Sequence, residues 1–103
     1  MMNNMNNSGM MKQLLEMQKQ LKKTQKDLER EIITGSSKDG AVQISLSGTQ
    51  HFHSVKIDEE KISGLNSNEL EKLIGSAVKD ALEKSKKLMA DKLGPLGAGL
   101  TGL

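Results

Sequence analysis

The 103-residue chain has room for one domain, and its net charge of +2, from 15 basic and 13 acidic residues, favours a polyanion only if the charges are segregated. It contains no cysteine, which excludes disulfides, thiol catalysis and thiolate metal sites. Its single aromatic residue is a phenylalanine, so the core must be built from Leu, Ile, Val, Met and Ala, and so thin a core predicts an oligomer. No apolar run reaches the length of a membrane span and no signal-peptide core opens the sequence, which together predict a soluble, cytoplasmic protein.

Residues 1–7, MMNNMNN, read as a flexible N-terminus. Ser8 is a candidate N-cap, and from there Met10, Leu14, Met17, Leu21, Leu28 and Ile32 recur at steps of three, four or seven. Glycine and proline are absent from residues 10–34, and Gln, Lys, Glu and Leu dominate, so the spacing predicts one long helix of roughly 36 Å. GSSKDG, residues 35–40, breaks it. Val42, Ile44 and Leu46 then alternate with Gln43, Ser45 and Ser47, as in a strand covered on one face.

A turn at Gly48–Thr49 leads to a second strand, HFHSVKID, in which Phe52 falls out of parity with Val55 and Ile57. Either a bulge or a second covered face is implied. Residues 31–34 are placed to add a third, short strand. DEEKISGLNSN is a polar connection, after which Asn66 and Glu69 open a second amphipathic helix like a capping box. Its apolar positions run from Leu70 to about Leu93, where Gly94–Pro95 is expected to stop it and leave residues 94–103 as a flexible tail. The fold class is α+β, with a long N-terminal helix, a small antiparallel sheet of two or three strands and a long C-terminal helix.

On a helical wheel with Leu14 at zero, the apolar positions of the first helix lie within about 60° on one side. Lys12, Lys19, Lys23, Lys26 and Arg30 lie between about 120° and 180°, on the reverse face. On the second helix Lys72, Lys79 and Lys86 are seven apart opposite the apolar stripe, and Lys84, Lys87 and Lys92 spread over a wider arc. The pattern alone favours a solvated outer face. Segregation of sign moves weight toward a polyanion, because a face that only solvates usually alternates Lys with Glu.

Two other constellations are weaker. His51-x-His53 would share a face of a regular strand, but no third or fourth ligand accompanies it. Asp58-Glu59-Glu60 lacks the alternating oxygen ligands and central glycine of a calcium loop and reads as an acidic turn. No phosphate-binding glycine loop or nucleophile–base arrangement is present, so we expect no catalysis, no metal, no cofactor and no small-molecule substrate.

The ordered set of MMKQLLEMQKQLKKTQKDLE, Thr34–Gly35, GAVQISLSG, VKID at residues 55–58 and LEKLIGSAVKDAL at residues 70–82 resembles the YbaB/EbfC nucleoid-associated proteins of bacteria. Lys79, Ser76 and Ser47 depart from it, standing where Asn, Ala and Asn are usual in the family. The resemblance implies a single DNA-binding and dimerisation domain over residues 8–93, and a homodimer in which the small sheets associate and the helices extend as tweezer-like arms. It also implies binding to double-stranded DNA and a role in nucleoid organisation or gene regulation.

On that reading Lys12, Lys19, Lys23, Lys26, Arg30, Lys79, Lys84, Lys86, Lys87 and Lys92 are the candidate DNA-binding residues. Fourteen of the basic residues are lysines, point charges suited to phosphate more than to reading base edges. With almost no aromatic platform, single strands and RNA loops are disfavoured. The alternative is a dimeric scaffold for a DNA repair or recombination partner, with the lysines only solvating.

Overall fold

The computed structural model describes residues 2–97, with side chains described for residues 9–94. The order is helix α1 (Met2–Arg30), strands β1 (Ile32–Ser36), β2 (Val42–Ser47) and β3 (Phe52–Ile57), a short helix α2 (Glu59–Ile62) and helix α3 (Ser67–Gly97). The three strands form an antiparallel meander with β2 in the centre. The molecule measures 77 × 23 × 15 Å and its radius of gyration is 20.4 Å, against about 13 Å for a compact domain of this length. Much of both long helices therefore stands clear of the sheet.

Four local expectations shift. Helix α1 begins at Met2 and runs through Ser8 and Gly9, so Ser8 is not its cap. It ends before Ile32, because Ile32, Ile33 and Thr34 are β-branched and pair with Ser47, Leu46 and Ser45. Ile32, counted by period with the helical stripe, instead lies on the polar face of the sheet. The acidic connection folds into α2, whose N-terminus is capped by Asp58 Oδ1 accepting from the amides of Glu60 at 3.0 Å and Lys61 at 3.4 Å. Helix α3 passes Gly94 and Pro95 and ends at Gly97, and the rest of the expected tail lies outside the described residues. Its start is as expected, with Asn66 Oδ1 accepting from the Glu69 amide at 2.8 Å.

The parity break in β3 is a bulge. Leu46 pairs with Phe52 and Ser45 with Ser54, leaving His53 as the unpaired extra residue. The bulge puts Phe52, Val55 and Ile57 opposite Leu46, Ile44 and Val42, on one face of the sheet. Helix α3 crosses that face, and the core is Val42, Ile44 and Leu46 packed on Ala77 and Ala81, with Ile33, Leu70, Leu73 and Ile74 at its rim.

Small residues make this crossing close. A Cβ on Gly35 would lie 2.1 Å from the Ala81 nitrogen and 2.6 Å from the Ala77 carbonyl oxygen. A second close approach joins α1 to the sheet: the Gly48 amide donates to the carbonyls of Leu28 at 2.8 Å and Glu31 at 2.9 Å, pairing carbonyls that the end of α1 would otherwise leave open. Leu28, fully buried beneath this turn, anchors the helix.

In the β2–β3 turn, Gln50 is the one non-glycine residue among the described residues with positive φ, +69°. That conformation carries its Nε2 to 2.9 Å from the buried Ser85 Oγ, which itself donates to the Leu82 carbonyl at 2.9 Å. Ser85→Ala removes the acceptor that holds Gln50, and we expect a loss of about 1–2 kcal/mol in denaturant unfolding.

The outer edge of β1 is closed by α3. The Ser36 amide donates to Asp80 Oδ2 at 2.9 Å, and Lys84 Nζ donates to the Thr34 carbonyl at 3.1 Å while pairing with Asp80 at 3.1 Å. The Ser36 amide first and Lys84 second hold the Asp80 carboxyl below the ordinary aspartate range. Asp39 is lowered likewise, by the Ala41 amide and then the Ser37 hydroxyl. Both groups bind protons more weakly folded than unfolded, so their contribution is complete above the unfolded value, near 3.9, and is lost as pH falls through the lowered values. Unfolding midpoints are expected to be level near neutrality and to drop below about pH 4, less steeply in Asp80→Asn.

Candidate nucleic-acid interface

Exposure follows the wheel over the last third of α1, and before Leu21 every described residue of the helix is exposed. Leu28 faces the sheet, Leu21 and Thr24 are half-buried, and Lys12, Lys19, Lys23, Lys26 and Arg30 on the reverse face are exposed. From Lys12 to Arg30 the stripe extends about 27 Å, most of one turn of duplex DNA. None of these five side chains forms an ion pair among the described residues. Their charge is therefore not spent inside the fold.

On α3 the candidates divide. Lys79, Lys86 and Lys87 are exposed and carry no ion pair among the described residues. Lys84 is tied to Asp80 and the β1 edge, and Lys92 lies 3.8 Å from Glu31 Oε1, bridging α3 to the end of α1. Both of these occupied lysines fall on the apolar side of the wheel, where a long side chain reaches protein before solvent.

One basic residue escaped the periodicity reading. Lys38, in the β1–β2 turn, lines an open depression of about 430 Å³ together with Lys79, Ser36, Ser37 and Ser76, with Asp80 and Glu83 at its margin. A turn residue has no period, so only the tertiary fold brings it to Lys79. The histidine pair is separated in role: His51 Nδ1 meets Thr49 Oγ1 at 3.0 Å, and His53 occupies the bulge. Among the described residues no group of three or more His, Cys, Asp or Glu is arranged to hold a metal ion, and no helix is long and apolar enough to cross a membrane.

The molecule is of the class of elongated α+β domains, a thin core with two projecting helices, each carrying on its outer face exposed lysines without an ion pair among the described residues. The chain belongs to the YbaB/EbfC DNA-binding family, whose family model matches residues 2–100. It is 37% identical over 90 residues to a nucleoid-associated protein of Dictyoglomus thermophilum, an alignment covering 87% of this chain and 86% of that one. Against a nucleoid-associated protein of Ligilactobacillus salivarius it is 33% identical over 103 residues, covering 100% and 99% of the two chains. The crystal structure of the uncharacterized protein HP0035 from Helicobacter pylori has the same fold, with a TM-score of 0.74 at 18% identity, covering 86% of this chain and 94% of that one.

Proposed function

We propose that the chain works as a homodimer that binds double-stranded DNA on the nucleoid, in the cytoplasm, and contributes to nucleoid organisation or gene regulation. The observation that carries this reading is the line of exposed basic residues on α1, free of ion pairs among the described residues, in a chain whose family is DNA-binding. Lys12, Lys19, Lys23, Lys26, Arg30, Lys79, Lys86 and Lys87 neutralise phosphates, and the release of counterions supplies much of the free energy. Lys84 and Lys92 stand on the other side of α3, with their charge shared with Asp80 and Glu31, and contribute less. Point charges without aromatic platforms favour backbone contact and weak sequence preference. A gel shift with duplex DNA tests this: binding is expected at low salt and should weaken steeply as salt rises, whereas no shift at low salt would end the proposal.

Dimerisation is supported by what the fold leaves uncovered. Phe52, Val55 and Ile57 share the face on which α3 covers β2, yet Phe52 is 65% and Val55 51% exposed. Asp80 and Lys84 bond to β1 while Ser85 bonds to the β2–β3 turn, so the opposite flank of α3, with Val78 and Leu82, turns toward β3. A second copy covers this apolar surface and adds the area that one chain lacks. Val55→Asp is expected to convert a dimer to a monomer in light-scattering mass measurements. A wild-type monomer at all concentrations would contradict the assembly.

A further inference from the structure

The apolar stripe of α1 is longer than the fold uses. Met10, Leu14, Met17, Leu21, Thr24 and Leu28 are spaced four, three, four, three and four, the seam of a coiled coil. Exposure rises along it: Leu28 is buried, Leu21 and Thr24 are half-buried, Met17 is 37% exposed, Leu14 55% and Met10 61%. The C-terminal half of the seam packs within the chain, and among the described residues nothing covers its N-terminal half.

The flanks of the seam indicate what covers it. Beside the uncovered half, Gln13 and Gln20 border one side and Met11 and Gln18 the other, all uncharged, while Lys12, Lys19 and Lys26 sit on the opposite face. A charged partner helix would find no complementary charge beside this seam. An identical helix meets no repulsion there, because along the uncovered half the flanking positions that set partner choice in coiled coils are uncharged, and Asp27 flanks only the buried end. The apolar seam offers nothing to phosphate, and the lysines behind it stay free when it is covered.

We propose that the exposed seam of Met10, Leu14 and Met17 pairs with the same seam of α1 in a neighbouring dimer, so that dimers on one duplex are joined arm to arm. The inference rests on the DNA-binding homodimer proposed above. From Met10 to Met17 the uncovered seam is about one heptad long, shorter than the three or four that sustain a coiled coil alone. Pairing is therefore weak in free solution and becomes effective where DNA holds two dimers side by side at high local concentration.

The chain has no cysteine, so Gln18→Cys introduces a unique cross-linking site beside the seam. A short bis-maleimide is expected to link two chains on a duplex long enough for several dimers, and not on a duplex that holds one. Adding Leu14→Gln and Met17→Gln should abolish the product while affinity for the short duplex stays within about twofold, since neither residue lies on the basic face.

Three results would overturn the proposal: product on both duplexes, which would put the seam inside the dimer; no product on either; or product that survives the two glutamines. Conversion of the Leu14→Gln, Met17→Gln variant to monomers would overturn it as well. Failure of the DNA-binding reading registers separately, as no shift of the short duplex. The same cross-link at high protein concentration without DNA then decides the seam.

Discussion

Replacing Lys19, Lys23 and Lys26 together by glutamine is expected to lower affinity for duplex DNA by roughly a hundredfold or more at low salt, without altering the fold. The three side chains are exposed, carry no ion pair among the described residues and sit on the face of α1 turned from the core, so nothing folded depends on them. Glutamine has nearly the helix propensity of lysine and a similar length, which leaves α1 intact by circular dichroism.

The sharper readout is the salt dependence. Each phosphate neutralised contributes about 0.9 to the slope of log affinity against log salt, so three lysines in each of two chains account for about five units if all touch DNA. An unchanged slope would reduce the stripe to a solvated helix face. Lys84→Gln makes the contrast: its charge is shared with Asp80 and the Thr34 carbonyl, so it should change the slope little and disturb the β1 edge instead.

Gly35→Ala is expected to be the most damaging small substitution in the chain. One methyl group would be forced to 2.1 Å from the backbone nitrogen of Ala81 and 2.5 Å from its Cα. These are backbone atoms of a helix, with no rotamer to relieve the overlap, so α3 must lift from β1. Overpacking in cores costs about 1–3 kcal/mol, and a clash with backbone belongs at or above that limit. Lifting α3 also strains the Ser36–Asp80 and Thr34–Lys84 bonds, which span the same crossing. Denaturant unfolding should show a stability loss of about 3 kcal/mol or more, and a loss under 1 kcal/mol would show that the crossing yields. Because the site is remote from the α1 lysines, any protein that remains folded should still bind DNA.

Much of the architecture was legible from residue spacing. The period of α1, the alternation of Val42, Ile44 and Leu46, and the Asn66–Glu69 cap are local patterns, each set by backbone geometry within a few residues. The basic stripe of α1 was legible for the same reason: an exposed helix keeps its wheel positions whatever the rest of the chain does. Spacing and structure part where two local signals compete. Ile32 fits the helical period but begins a β-branched run, and pairing with Ser47 decided for the strand. The Asp58 cap of α2 was present in the residues and was read as a turn because four helical residues carry no period.

By itself, then, the sequence determined the α+β order, the absence of thiol chemistry, the segregation of lysine on α1 and the family resemblance. These follow from residue type and from periods of two and 3.6. Only the tertiary structure decided that Lys84 and Lys92 are occupied, that Lys38 joins Lys79, that the β3 bulge aligns Phe52 with an uncovered face, and that the α1 seam is half used. Each depends on which surfaces meet across tens of residues, and a pattern confined to one element carries no information about its neighbours.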